Sequence, residues 1–328
     1  MAHRSMPSTD PPPVRAAGAG NLPTMLPILR PGSPVVVRPD NSIHVGADPD
    51  RSLRITLARP ESAEAVATLI RSLHAPRSTA DVVRAARRIG LTRRDVADLV
   101  GQLVAADKTM PGIGAATRRL RVRVHGRGPL ATLLATSLDE VGLPIRRSAL
   151  RPDGLAGGDD PWAADLVVLT DFLVHDPIVV AALSATRSPH LPVRVRDGIG
   201  IVGPLVLPGA SSCLRCADHH RTALDPGWPL LAAQLLRRPG YASAATIRAT
   251  AALAHEQIEQ LETVRSESSA TAGCAGSPGS GGSGGAGVPP PQLIGHALEF
   301  HPRPARLRMR RWPPHPLCEC GVALRDAG

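Results

Sequence analysis

Leu120-Arg-Val-Arg-Val-His-Gly-Arg-Gly-Pro-Leu-Ala131 is the stretch that decides how the larger part of this chain is read. Leu120, Val122 and Val124 alternate with arginines, the two-residue period of a strand. Gly126 and Gly128 break that pattern, and Pro129 suits the first position of a helix, where the N–H it lacks has no partner to lose. The apolar pattern then runs helically through Leu138. Further on, Leu166-Val-Val-Leu169 is the unbroken apolar run of a buried strand ending at Asp171, and 191–195 and 199–207 are two more strand candidates. Strand, glycine turn, helix and strand in this order predict a Rossmann-like α/β domain.

The turn fits G-x-G-x-x-A, whose backbone N–H groups can face phosphates. Asp171, at the carboxyl edge of the expected sheet, could hold Mg²⁺ or a phosphate-linked water, or cap a turn. Gly126, Gly128 and Asp171 are therefore candidate nucleotide-site residues. About twenty residues past the glycines, where a ribose-binding acid is expected, stand Arg146 and Arg147. That departure weighs against ATP as a cofactor and favours a turn kept for packing.

Two close cysteine pairs, Cys213-Leu-Arg-Cys216 and Cys318-Glu-Cys320, sit among turn residues: Pro208, Gly209, Ser211 and Ser212 before the first, Pro313, Pro314, Pro316 and Gly321 around the second. Two such knuckles can converge as a tetrahedral Cys₄ site for structural Zn²⁺, stapling the C-terminal region onto the middle of the chain. Two disulfides or four free thiols are the alternatives, and His315, His219 or His220 could replace one thiolate. Asp218, His219, His220 and Arg221 form a functional surface or solvate a helix, and His175-Asp176 reads as surface polarity. Cys274 has no neighbouring base to activate it as a nucleophile.

Upstream, residues 1–24 read as a disordered tail. Strand-like runs at 35–37, 42–46 and 53–57 predict a small antiparallel meander, and three helical patterns follow, the third opening with a Thr92/Asp95 capping pair. Strands with three short helices predict a winged-helix domain over 25–112, followed by the α/β domain over 113–328. Within the latter, 241–264 reads as helix, 266–291 as a flexible Gly/Ser-rich insert, and 293–300 and 305–312 as strands. The winged helix could place Arg93 and Arg94 in a DNA groove, or clamp an extended peptide on its edge strand and third helix through Leu53, Ile55, Leu57, Arg93, Arg94 and Val96.

The 328 residues carry a formal charge of +10, with Lys108 the single lysine. Arginine of this abundance admits acidic peptides and nucleotides as partners. With aromatics at only 2% there is little to stack the bases of a single strand on, which weakens a reading based on single-stranded nucleic acid; the arginines would admit nucleic acid too, but it is the unlikely partner of the three. No apolar run approaches the ~20 residues of a membrane span, and the expectation is a cytoplasmic protein without a membrane partner. In that compartment paired cysteines more often hold metal than form disulfides.

The run from Gly203 to Cys216, then Asp218, His220-Arg221, Asp225-Pro226-x-Trp228-Pro and the terminal Pro314-His-Pro-Leu-Cys-Glu-Cys-Gly321, resembles the ThiF-like cyclodehydratase component of thiazole/oxazole-modified peptide (TOMM) biosynthesis, a branch of the ubiquitin-activating-enzyme superfamily. The resemblance spans about residues 25–328. It implies a PqqD-like winged-helix domain that binds the leader of a ribosomal precursor peptide. It also implies a ThiF-like domain whose structural zinc is held by Cys213, Cys216, Cys318 and Cys320. The partner it implies is a YcaO-type cyclodehydratase, separate or fused, that consumes ATP to form azolines, which makes this chain an accessory rather than a catalytic subunit; a homodimer is also admissible. Asp171 in Leu169-Thr-Asp-Phe172 resembles the superfamily's metal-side aspartate. The rival readings are an ATP-dependent adenylating enzyme for a ubiquitin-like or sulfur-carrier protein, and a winged-helix DNA-binding regulator.

Overall fold

The computed structural model describes residues 22–59, 62–110, 119–149, 162–272, 291–320 and 322, with only the backbone over 266–272. The chain forms two compact units that part at Thr117 and Arg118.

In the first unit, β1 (Ile28–Leu29) is followed by β2 (Val35–Val37), β3 (Ile43–Val45) and β4 (Leu53–Ile55), the last three forming an antiparallel meander with β3 in the middle. Helix α1 (Ala63–Arg71) precedes α2 (Thr79–Arg88), capped by the Ser78 hydroxyl, which accepts from the Asp81 N–H. Helix α3 (Arg93–Ala105) starts in a capping box in which Thr92 and Asp95 each accept from the other's backbone N–H, satisfying two of the donors a helix start leaves orphaned. Strand β5 (Thr109–Met110) closes the unit by pairing with β1. Ile43, Val45, Ile55, Val66, Ile70, Val82, Val96 and Leu103 make its core. The segment read as a tail is already held at its end, since the Pro23 and Thr24 carbonyls accept from Thr79; residues 1–21 lie outside the described residues.

The second unit is built on one seven-stranded sheet. Its elements are β6 (Val122–His125), α4 (Pro129–Glu140), β7 (Ile145–Ser148), β8 (Leu166–Thr170), α5 (Pro177–Ala185), β9 (His190–Arg196), β10 (Ile199–Val202), α6 (Leu214–Leu224), α7 (Trp228–Leu235), α8 (Ala244–Ala272), β11 (His296–Pro302) and β12 (Ala305–Arg311). The spatial order is β12-β11-β10-β9-β8-β6-β7. Strands β7, β6, β8 and β9 run parallel, whereas β9 through β12 form an antiparallel meander, so the sheet is mixed and Rossmann-like on one half only.

Helices α4 and α8 cover one face, where Val122, Val124, Leu134, Leu138, Leu166, Val168, Leu191, Val193 and Ile258 pack together. The other face meets α5 through Trp162, Val167, Leu169, Val179 and Leu183, and α6 through Ile201, Ala217, Ala297 and Trp312. Every residue of β8 is buried, which is why its sequence shows no alternation. Helix α8 runs on to Ala272, past the point where the Gly/Ser-rich insert was expected to begin; Cys274 and the rest of 273–290 lie outside the described residues. No helix among the described residues is long and apolar enough to cross a membrane.

Candidate functional site

Cys213 is the N-cap of α6, and Cys216 lies one turn further along it. The chain leaves β12 through Trp312 and a proline-rich turn, in which the Cys318 N–H donates to the His315 carbonyl, and so brings Cys318 and Cys320 to the same place. The Sγ atoms stand 3.8 Å apart for Cys213–Cys216, 3.6 Å for Cys213–Cys318 and 3.5 Å for Cys216–Cys320, and all four lie within 4.8 Å of one another. A disulfide needs about 2.0 Å. A tetrahedron with Zn–S bonds of about 2.3 Å has edges of roughly 3.8 Å, so the thiol set fits one tetrahedral ion. The cluster could hold a metal such as zinc, and with four protein ligands it would leave no position for a substrate water.

The thiols also share protons unevenly. Cys213 donates to Cys216, which raises its own pKa and lowers that of Cys216 to about 4, while burial pushes Cys318 up to about 11. The histidines next to the cluster lie outside it: His219 stacks on His315 at 4.9 Å, and His220 meets His315 edge-on and the Pro313 carbonyl at 3.0 Å. Arg221 lies 5.0 Å from the ring centroids of both Trp228 and Trp312. Its partner Asp218, at 2.7 Å, also accepts from the Trp228 indole N–H at 3.1 Å. Asp218, Arg221 and Trp228 thus lock α6 to α7 and to the segment after β12, a packing role.

The glycine turn has a different occupant from the one its motif suggests. Strand β7 lies on one side of β6 and β8 on the other, so the chain's winding reverses between β6 and β8, where open α/β sheets bind ligands. Asp171, just past β8 and only 5% exposed, fills that position. Its carboxylate accepts from the N–H groups of Gly128 at 2.9 Å, Leu130 at 3.0 Å and Ala131 at 3.3 Å, and from the Thr170 hydroxyl at 2.8 Å. These are the amides that the motif would turn toward a phosphate. A Cβ on Gly128 would lie 2.3 Å from Asp171 Oδ1, and one on Gly126 would lie 2.0 Å from Thr170 Oγ1. The glycines are accounted for by this close approach. Arg146 and Arg147 fall on β7, and Arg147 donates to the Thr132 hydroxyl at 3.1 Å.

His175 and Asp176 depart from the expectation of surface polarity. Asp176 caps α5, accepting from the Ile178 N–H at 2.9 Å, and pairs with Arg237. The His175 ring lines a recess of about 70 Å³ with His125, Arg127 and Phe172, and its Nε2 is buried without a hydrogen bond among the described residues. Burial, reinforced by Arg194, lowers its pKa to about 3, and burial likewise lowers His190 to about 4. Sequence reasoning could have flagged His190, which opens a run of apolar residues; nothing local marks His175.

Both rings titrate near pH 6.5 once unfolded, so between that pH and the folded values the unfolded chain binds more protons, and stability present above pH 6.5 declines as the pH falls. His190, fully enclosed, should remove about 2 kcal/mol between pH 7.5 and 5, and the partly exposed His175 a smaller amount. Asp165, which burial would raise but Arg121 and Arg265 hold down to about 2, stays ionised across this window. Thermal melting should therefore drop by roughly 5 °C over that range, and His190→Gln should flatten the profile; a wild-type profile already flat would contradict the buried neutral rings.

Of the residues expected to touch a peptide, Leu53 and Leu57 are half-buried, Arg93 and Arg94 are exposed in the first turn of α3, and Ile55 and Val96 are core residues at 2% and 1% exposure. Those last two belong to the core cluster of the unit. Among the described residues strand β4 pairs with β3 alone, and Arg59, four residues beyond it, lies where a side chain at position 90 would meet it and, behind the Thr92 hydrogen bonds, lowers the pKa of Asp95 at the start of α3 by its charge.

No protein-family profile and no curated protein matches the sequence. Solved structures do match the fold. A heterocyclase in complex with substrate and cofactor aligns over 92% of this chain with a TM-score of 0.58 and 14% identity, and the heterocyclase TruD over 93% with a TM-score of 0.57 and 15% identity. The chain shares the fold of these heterocyclases. It spans 40% and 44% of their respective lengths. MccB from E. coli, in a structure with ATP, aligns over 89% of this chain and 98% of its own, with a TM-score of 0.52 and 13% identity. At these identities the likeness is one of fold.

Proposed function

We propose that this chain is a zinc-stabilised ThiF-like protein that binds the leader of a ribosomal precursor peptide and presents it to a YcaO-type cyclodehydratase for azoline formation. The observation that carries the accessory reading is the Asp171 carboxylate seated on the amides of Gly128, Leu130 and Ala131. A fixed anion in that position competes with a nucleotide phosphate, by repulsion as well as by taking its donors. The four cysteines would hold structural zinc. The first unit, read as a PqqD-like winged helix, offers the free edge of β4 to an extended leader, with Arg93 and Arg94 beside it to favour acidic side chains.

The test is calorimetry of the full chain with short precursor peptides encoded beside its gene. Arg94→Glu should weaken binding by about tenfold, and raised salt by a smaller factor, leaving a salt-resistant part from Leu53 and Leu57. Binding unaffected by Arg94→Glu, or seen only with duplex DNA, would falsify the leader clamp. The placement of the glycine turn at the sheet's reversal point keeps one rival in view, ATP-dependent adenylation of a ubiquitin-like or sulfur-carrier protein. Pyrophosphate exchange by the purified chain would establish that rival.

A further inference from the structure

The hairpin β11–β12 ends the large sheet, so among the described residues the outer backbone groups of β12 face no neighbouring strand. From His296 to Arg311 it carries five arginines (303, 306, 308, 310 and 311) and a single carboxylate, Glu299. Arg310 is engaged: it stacks on Trp312 at 4.6 Å and lies 3.5 Å from Glu299. Arg303, Arg306, Arg308 and Arg311 are exposed, and none has an acidic partner among the described residues.

The register with β11 sorts the β12 side chains. Arg306 lies opposite His301 and Arg308 opposite Glu299, on one face, while Leu307 lies opposite Phe300 and Met309 opposite Leu298, on the other. Leu307 and Met309 are 56% and 43% exposed. Arginines alone would guard an edge against unwanted pairing. Exposed apolar residues on the opposite face have the contrary effect, because they invite a strand whose own side chains alternate. A second copy of this chain is a poor occupant, since antiparallel pairing through β12 would set one arginine row against another.

We propose that the outer edge of β12 takes up an extended acidic segment of a partner polypeptide as an eighth strand. Its carboxylates would meet Arg306 and Arg308 on one face, its apolar side chains would cover Leu307 and Met309 on the other, and its backbone would pair with β12. Charge supplies the selection for acidic sequences that backbone pairing lacks. This surface belongs to a different unit from the β4 edge, and its failure would leave the leader-binding reading untouched.

The experiment uses the full chain with a fluorescein-labelled octapeptide of alternating Glu and Val, beside a Lys-Val counterpart, a Glu-Pro counterpart that cannot form a strand, and a short DNA duplex. The Glu-Val peptide should bind, with amide hydrogen exchange slowed over 305–311. The double variant Arg306→Glu/Arg308→Glu should bind it about tenfold less tightly and accept the Lys-Val peptide instead. The single Arg308→Gln should weaken binding about threefold, a readout that survives should the double variant misfold. Absence of Glu-Val binding, equal binding of the Glu-Pro peptide or the duplex, or protection confined to Leu53–Ile55 would each overturn the proposal.

Discussion

Cys216→Ser or Cys320→Ser should yield protein without bound metal and with a melting temperature lower by about 10 °C. The four sulfurs come from two places a hundred residues apart in sequence, the start of α6 and the turn beyond β12, so an ion held by all four would tie those two places together. Metal binding at such a site is folding free energy, because no preformed site exists in the unfolded chain. Losing one thiolate of four leaves three ligands that should no longer keep the ion, and a loss of about 3–5 kcal/mol in a unit of this size corresponds to roughly 10 °C. The effect should be local first, with faster hydrogen exchange around Trp312, Cys318 and Val322 and loss of the stack of Arg221 between its two tryptophans. A chelator should reproduce both variants, and the double variant should be no worse than either single one. Elemental analysis finding no metal in wild-type protein, with melting unchanged in both variants, would reduce the cluster to four packed thiols.

Asp171→Ala should cost about 2–4 kcal/mol and at the same time create an anion site that the wild-type protein lacks. The cost follows from three backbone donors and the Thr170 hydroxyl losing a charged acceptor in a buried place. The gain follows from the same donors, which, freed at a helix N-terminus, would take phosphate or sulfate. Melting of the variant should therefore rise with phosphate concentration, whereas wild-type protein should respond little to phosphate or to MgATP. Gly128→Ala should destabilise by driving its methyl into the carboxylate, 2.3 Å from Oδ1, and adding Asp171→Ala should relieve part of that penalty, a non-additivity expected only of groups in contact. An adenylating enzyme predicts the reverse: wild-type protein stabilised by MgATP, and that response abolished by Asp171→Ala.

Much of the second unit was readable because its signals are local. An alternating run into Gly126-Arg-Gly128-Pro129 can hardly be other than a strand entering a helix, and the apolar block of β8 announces burial on both faces. Less was readable where the outcome depends on distant neighbours. Strand β7 is mostly polar because it is a sheet edge, so its residues looked like the site of a missing acid rather than a strand. Helix α8 continues through Ser- and Ala-rich sequence that resembles linker. Ile55 and Val96 looked available to a ligand because strand and helix periodicity mark a face, without saying what covers it.

By itself, then, the sequence determined the strand, glycine turn and helix that open the α/β unit, the buried strand β8 and the paired cysteine knuckles, all of which follow from backbone preference and side-chain period within a dozen residues. Only the tertiary structure decided what those features serve. The sulfurs of α6 and of the turn after β12 meet because the antiparallel half of the sheet returns the chain to α6. Asp171 reaches the amides of α4 because β8 lies beside β6. Whether a turn binds a phosphate or an internal carboxylate depends on which charge the fold delivers to it, and that is a property of contacts between residues some forty apart, which no local pattern records.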